Sequence, residues 1–383
     1  MADASKIAIG RNLKTARDAA QLSQEQLANL LGVSRATLSY IENGHATIDS
    51  TKLLEAAKIL RRPVTFFFED TDGECEFSFL YRAGEDVTPS GDVLQRFQRF
   101  CESYQYLEEV IGVAGAVLAP PEYSYSHKLH ANSWDLAEQV ATSERQRLGL
   151  GQSDTIENIF ELLDENGVRI LDSQINDEDV FGLSACSRNY GLCILVNTAN
   201  TLERNIFTAG HEYGHLLMHR GFYSVSDPDT APPRDTILEK MADAFAACFL
   251  VPAAGLRELC LKSVGKEPPG LEDVVFLKRH FKVSAKMMIR RLLDVGIVSA
   301  AAQEELQKEL ERKEPDPKKE FAPMKEDLIG AWKKVRRFEH LARKALLSKA
   351  ISIGKLAELL GVKLIEAMEL ASAWREEMSL EPV

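Results

Sequence analysis

The stretch TAGHEYGHLLMH at 208–219 sets His211 and His215 four positions apart, with Glu212 between them. Residues four apart share one helix face, so both imidazoles would point at a single divalent ion. Glu212 stands beside them, where it can reach a water at that ion without being a ligand. Gly214 leaves room for another segment to cross close by, and Phe207, Leu216 and Leu217 supply a buried side. Two histidines do not complete a catalytic zinc site, which takes a third protein donor and keeps one position open. His219 lies about 12 Å of helix rise beyond His211, too far for three imidazoles on one straight helix to share an ion. Ten residues after His211, where a third histidine in the same segment could close the set, stands Gly221.

A carboxylate donor is available in TILEKMADAFAACFLVP at 236–252. Glu239 and Asp243 are four apart on a helix whose Ala242, Ala246 and Ala247 allow tight packing. Glu239 can serve as the third ligand, and Asp243 can accept a hydrogen bond from a ligating histidine and set its orientation. The plain alternative for this pair is ordinary helix surface. For the oxyanion of a peptide-cleaving reaction, Tyr223, His219 and Arg220 are near in sequence, and nothing in the sequence selects among them.

These residues need elements to hold them. The runs VRILD at 168–172, FGLSACS at 181–187 and LCILVN at 192–197 read as a small sheet just ahead of the histidine helix, expected over Thr201 to Arg220. LCILVN would be an edge strand able to hold an extended peptide by backbone pairing. Helices are expected at 92–112, 133–149, 153–166, 236–250 and, as a pair, 271–295; the 227–235 stretch reads as a loop. The expected organisation is a helical domain at 1–70, a helical connecting region at 71–149, a catalytic domain at 150–300, a charged linker at 301–324 and a helical C-terminal region at 325–383. The fold class is therefore multidomain and mainly α with a small β-sheet.

Residues 21–44, QLSQEQLANLLGVSRATLSYIENG, have the anatomy of a helix-turn-helix. Ser23 and Gln26 form a capping-box signal, Leu27, Ala28 and Leu31 face a core, Gly32 permits the turn, Val33 plugs it and Ile41 anchors the second helix. Ser34 can cap that helix. Arg35, Thr37, Ser39 and Tyr40 then lie near its exposed start, where a major-groove helix presents side chains to bases; Gln24 is better placed for phosphate. Residues 1–62 hold nine Lys/Arg against six Asp/Glu, a weak positive bias, so a bundle that touches only protein stays open on composition. The stretch resembles the Xre/Cro-type repressor domains over roughly residues 6–68, which implies a double-stranded DNA operator and binding as a homodimer.

The downstream half resembles the ImmA/IrrE family of metallopeptidases. The likeness rests on residues 182–219, on EKMADAFAACFLVP at 239–252 and on VVFLKRHFKVSAKMMIRRLLDVG at 274–296. It implies a zincin-like α+β domain in which His211, His215 and Glu239 bind Zn2+ (Mn2+ substituting in vitro) and Glu212 is the base. Asp243 stands where the family usually has asparagine. The resemblance further implies regulatory proteolysis of an Xre-type repressor, derepressing stress or mobile-element genes. A competing expectation is a non-proteolytic regulator or antitoxin that uses the peptidase-like domain for sensing or protein contact.

The formal net charge of −12 argues against a nucleic-acid coat but not against one local DNA-reading face. Six cysteines without a CxxC point to a reducing compartment. With no apolar leader and no apolar run of membrane length, the expectation is a bacterial cytoplasmic protein, on the nucleoid when DNA-bound, without a membrane partner. AWKKVRRFEHLARKALLSKA at 331–350 carries seven Lys/Arg and reads as a solvated face or a phosphate or partner contact; 351–371 imitates a second helix-turn-helix with an acidic second helix.

Overall fold

In the computed structural model the described residues are 2–19, 22–60, 64, 67, 78–83, 90–123, 133–175, 180–187, 189–220, 236–265, 268–316, 318–324 and 337–380. The 227–235 loop, Tyr223 and the first part of the basic 331–350 run lie outside them. The chain divides into two compact units, Met1–Glu76 with Thr88–Phe100, and Phe77–Val87 with Cys101–Val383.

The first unit contains α1 (Ala2–Ala19), α2 (Gln24–Leu31), α3 (Arg35–Glu42) and α4 (Ser50–Ile59). Its core gathers Leu13, Ala16, Leu27, Ala28, Leu31, Leu38 and Ile41, with Leu53, Ala56 and Phe67 behind them. The capping box on α2 is formed, and the helix ends at Gly32, whose φ of 66° is left-handed backbone that favours glycine. A buried ion pair the sequence reading missed ties the end of α1 to the end of α3: Arg17 donates from Nε to Glu42 Oε1 at 2.6 Å and from Nη2 to Oε2 at 3.1 Å.

The second unit holds the sheet, with β1 (Ser78–Ala83), β2 (Val168–Ser173), β3 (Val180–Ser187) and β4 (Gly191–Asn197) in the order β1-β3-β4-β2. β1 and β4 flank β3 antiparallel, and β2 runs parallel to β4. Two expectations change here. The sheet has a fourth strand, and β4 lies inside it, so LCILVN is not an edge. The apolar run of β4 fits a strand covered on both faces. Asn197 closes its end: Oδ1 accepts from the Ile175 and Ala199 amides, and Nδ2 donates to Val180 O.

α5 (Gly91–Ile111) runs from the first unit into the second, and the second unit also holds α6 (Ser133–Arg147), α7 (Ile159–Glu165), α8 (Leu202–Met218), α9 (Thr236–Leu250), α10 (Ala253–Ser263), α11 (Leu271–Phe281), α12 (Ala285–Asp294) and α13 (Ala300–Lys313); α14 (Arg337–Leu347), α15 (Ile353–Leu360) and α16 (Leu364–Leu380) follow. α7 is shorter than the helix expected over 153–166. Asp154 turns back to the Gly151 amide at 2.7 Å, and Asn158 caps the helix proper.

Buried cations fix the helix that carries Glu239. Arg145 donates to Phe249 O at 2.7 Å and Arg291 to Val251 O at 2.9 Å, so two guanidiniums satisfy the carbonyl end of α9. Glu144, fully buried on α6, accepts from the Tyr213 hydroxyl on α8, from Tyr123 and from Arg147. Lys278 on α11 donates to Glu203 at the start of α8 and to Glu320, and to the carbonyls of Phe321 and Ala322. Residues 318–324, from the stretch expected to be a charged linker, are thereby held against the α8 end of the core, where Met324 is buried. Among the described residues no single helix is long and apolar enough to cross a membrane; α9 and α10 meet that test only as a pair bent by 46°.

Candidate metal centre and DNA-reading helix

α8 starts at Thr201, whose hydroxyl accepts the Arg204 amide, and is buried on nearly all sides between the sheet and α9. Gly210 and Gly214 face α9 and let the two helices meet closely; a Cβ on Gly214 would stand 3.0 Å from Phe245. That close seam brings Glu239 to the histidine pair. His211 Nε2 and His215 Nε2 are 3.1 Å apart, and the Glu239 carboxylate lies 3.3 Å from the first and 3.4 Å from the second. The three donor atoms lie within 4.8 Å of one another. A tetrahedral ion with ligands at about 2.0–2.1 Å separates its donors by about 3.3 Å, so the set has the spacing zinc takes.

The outer partners favour a cation over a proton network. Asp243 Oδ1 is 2.8 Å from His211 Nδ1. A ring that donates from Nδ1 to a carboxylate keeps a lone pair at Nε2, and here that lone pair faces the Glu239 carboxylate. Lone pair against anion is repulsive until a cation sits between them. On the second ring, His219 Nδ1 lies 2.8 Å from His215 Nδ1, so His219 can orient His215 as Asp243 orients His211. His219 is buried at the end of α8, and burial drives its imidazole well below the usual histidine range. Its Nδ1 meets His215 Nδ1, on the side of that ring away from His211 and Glu239.

Glu212 is fully buried beside the pair. Burial raises its carboxyl above the ordinary value, against the lowering pull of both histidines and of Ser184. Ser184 Oγ, on β3, donates to Glu212 Oε2 at 2.5 Å, while Oε1 has no hydrogen-bond partner among the described residues. For Glu239, burial also acts upward, but when the two rings are protonated their hydrogen bonds and charge outweigh it and hold the carboxyl well below the carboxylate range.

Sequence reading missed two residues here. One is Ser184; the other is Gly182, where a Cβ would stand 2.4 Å from Thr208 Cγ2 and 3.3 Å from Glu212 Cγ. The available signal was the small residues at alternate positions of FGLSACS, which let the strand lie against α8. Of the oxyanion candidates, Arg220 is committed to the carbonyls of Leu216, Pro120 and Pro121.

In the first unit, α3 is capped by Ser34, whose Oγ accepts the Thr37 amide at 3.0 Å and lies 2.8 Å from the Thr37 hydroxyl. Arg35 and Thr37 are exposed, Ser39 is half-buried and Tyr40 is 61% exposed, edge-on to His45. The Gln24 amide donates to Glu42 Oε2 at 2.8 Å and joins the Arg17 pair.

Residues 163–293 match the family model of the IrrE N-terminal-like domain, a peptidase family, and residues 13–67 match that of the helix-turn-helix. The chain carries an IrrE N-terminal-like domain. It joins this domain to an N-terminal helix-turn-helix of the DNA-binding, Xre type. An uncharacterized HTH-type transcriptional regulator of Sinorhizobium medicae (strain WSM419) is 32% identical over 68 residues, 18% of this chain and 49% of that protein. An uncharacterized transcriptional regulator in the ATPase CF(0) region of Rhodospirillum rubrum is 34% identical over 64 residues, 17% of this chain and 59% of that protein. The chain thus spans about half the length of the curated relatives it matches. Among solved structures, the apo form of the competence regulator ComR from Streptococcus vestibularis aligns over 81% of this chain and 98% of its own, at 14% identity and a TM-score of 0.16.

Proposed function

We propose that the chain is a DNA-binding transcriptional regulator and a zinc-dependent endopeptidase of the bacterial cytoplasm, whose substrate is an Xre-type repressor and whose action derepresses stress or mobile-element genes. The observation that carries the reading is the convergence of His211, His215 and Glu239 on one point, with the buried Glu212 beside it. These three residues would hold the ion, which when bound supplies Lewis acidity toward a water and the scissile carbonyl.

The chain's own groups do the rest. Glu212 Oε1 is free to take the proton of the attacking water and later to deliver it to the leaving amine. Ser184 holds the other oxygen, which fixes the plane of the carboxylate. The raised proton affinity of Glu212 brings it closer to neutral pH, where a group that must both accept and release a proton works best. Asp243 and His219 keep the two imidazoles turned with Nε2 inward. Arg35, Thr37, Ser39 and Tyr40 on α3 are the groups proposed to read an operator, with Ser34 and Gln24 setting the frame behind them, and a homodimer would span two half-sites.

Glu212→Gln is the test. The variant should retain zinc at wild-type stoichiometry and lose cleavage of the repressor encoded beside its gene, read by intact mass. Cleavage by that variant at the wild-type rate sinks the assignment of the base. The non-proteolytic reading has one observation on its side: the β3 edge nearest Glu212 is already paired, by β1.

A further inference from the structure

β3 carries Ser184, which bonds Glu212, and Gly182, where a Cβ would stand 3.3 Å from Glu212 Cγ, so the side of β3 away from β4 is the strand position nearest the candidate base. An extended peptide docks on such an edge by adding a strand, its backbone supplying the hydrogen bonds. In this chain the position is filled by residues 78–83. Their antiparallel register sets Leu80 opposite Ser184, which bonds Glu212, and Arg82 opposite Gly182, the next position along that face. α8 also packs against β1, so the strand lies along the site rather than remote from it.

Three features mark β1 as an occupant rather than a founding strand. The matched peptidase domain, 163–293, contains β2, β3, β4, α8 and α9 without it. β1 comes from the stretch of chain that follows the helix-turn-helix, far in sequence from its partner strand. Its ladder with β3 carries a register shift between Arg82 and Ala83, an irregularity that the β3–β4 and β2–β4 ladders lack.

We propose that β1 fills the strand position an incoming peptide would take, so that residues 78–83 keep the β3 edge closed and the substrate is an extended segment running antiparallel to β3. This rests on the peptidase reading of the same site. It follows that the edge opens only in the fraction of molecules with β1 displaced, and the affinity for peptide is lowered by that fraction. A segment of the target that is extended, or can become so, is the kind of partner the edge selects.

The test reads binding without metal. A fluorescent peptide of sequence FSFLYRAG, residues 77–84, is titrated into the metal-free full-length chain and into a variant in which 78–83 are replaced by a Gly/Ser segment of equal length. The replaced chain should bind on the order of tenfold tighter or more. Equal affinity in a folded variant overturns the proposal. Should that variant not fold, Phe79→Cys with Ala185→Cys, opposite one another in the register, supplies a second arm. The oxidised, cross-linked chain should lose peptide binding that returns on reduction, and binding indifferent to the cross-link overturns the proposal. Tighter peptide binding by the replaced chain, together with a repressor left uncut by the zinc-loaded wild-type chain, would leave the strand proposal standing and remove the peptidase reading.

Discussion

Gly210 and Gly214 lie one turn apart on the α8 face that α9 crosses, and adding a methyl group to each should have opposite results. At Gly214 the new Cβ would stand 3.0 Å from Phe245 Cδ1, 3.3 Å from its Cγ and 3.4 Å from Ala242 Cα. Carbon atoms settle at about 3.5–4.0 Å, so the ring would have to retreat by roughly half an ångström. Phe245 has nowhere to go: it is fully buried, stacked on Phe249 at 5.3 Å and edge-on to Tyr213. The helices must part instead. Overpacking of this kind costs about 1–3 kcal/mol. The better helix propensity of alanine offsets about 1 kcal/mol, leaving a net loss of up to about 2 kcal/mol. Glu239 sits one turn before Ala242, so its carboxylate moves with the helix, and ligand distances tolerate only about 0.2 Å. Zinc affinity should fall on the order of tenfold. At Gly210 the Cβ would meet Ala246 Cβ at 3.4 Å and Leu250 Cδ1 at 3.6 Å, ordinary contact. Gly210→Ala should therefore gain up to about 1 kcal/mol and keep its metal affinity. Urea unfolding of the metal-free proteins and zinc competition against a chromophoric chelator read both quantities. Identical behaviour of the two variants, or undiminished zinc affinity in Gly214→Ala, would refute the claim that this seam positions Glu239.

Asp243→Ala should lower zinc affinity by about 10–100-fold, since His211 loses the acceptor that sets its tautomer; chelator competition reads it, and an unchanged affinity means the contact is idle. Lys278→Met strands Glu203 and Glu320 without their ammonium and should cost on the order of 3–5 kcal/mol in denaturant unfolding. On the other unit, Arg35→Ala should cost about 1–3 kcal/mol in operator binding by fluorescence anisotropy while leaving the thermal midpoint alone. Arg17→Ala should do the reverse, lowering the midpoint by leaving Glu42 buried without its cation.

Much of the site was legible because its information is local. The four-residue spacings of His211 with His215 and of Glu239 with Asp243 each define a helix face, and Gly214 with the alanines of α9 announced that two such faces meet. What stayed hidden depends on distant pairing. SFLYRA at 78–83 has no alternation to mark it, and it becomes a strand only because β3, about a hundred residues on, offers an edge. Ser184 gave no sign of its role until the sheet was laid against α8. Placing LCILVN at the edge erred for a related reason: a continuous apolar run is what a doubly covered interior strand looks like, and β4 is one. The bond from the Gln24 amide to the buried Glu42 likewise depends on a residue 18 positions away and carried no local signal.

Among the described residues the same helix–turn–helix shape occurs three times, and the exposed groups on the second helix separate the uses. α2 and α3 turn at Gly32, α11 and α12 at Lys282 with φ of 59°, and α15 and α16 at Gly361 with φ of 65°. In the second case α12 buries Ala285, Met288, Ile289, Arg291 and Leu292, and Arg291 reaches the end of α9, so the pair buttresses the helix of Glu239. In the third, the start of α16 exposes Leu364, Ile365 and Met368 among glutamates, a surface unsuited to phosphate. Only α3 opens with an exposed arginine and hydroxyls over a neutral cap. Shape alone would have assigned three DNA readers to this chain. The chemistry of the exposed face leaves one, and that one lies in the unit separate from the histidine pair. DNA reading and metal binding are therefore separable by mutation, and the paired losses expected for Arg35→Ala and Asp243→Ala should not cross over.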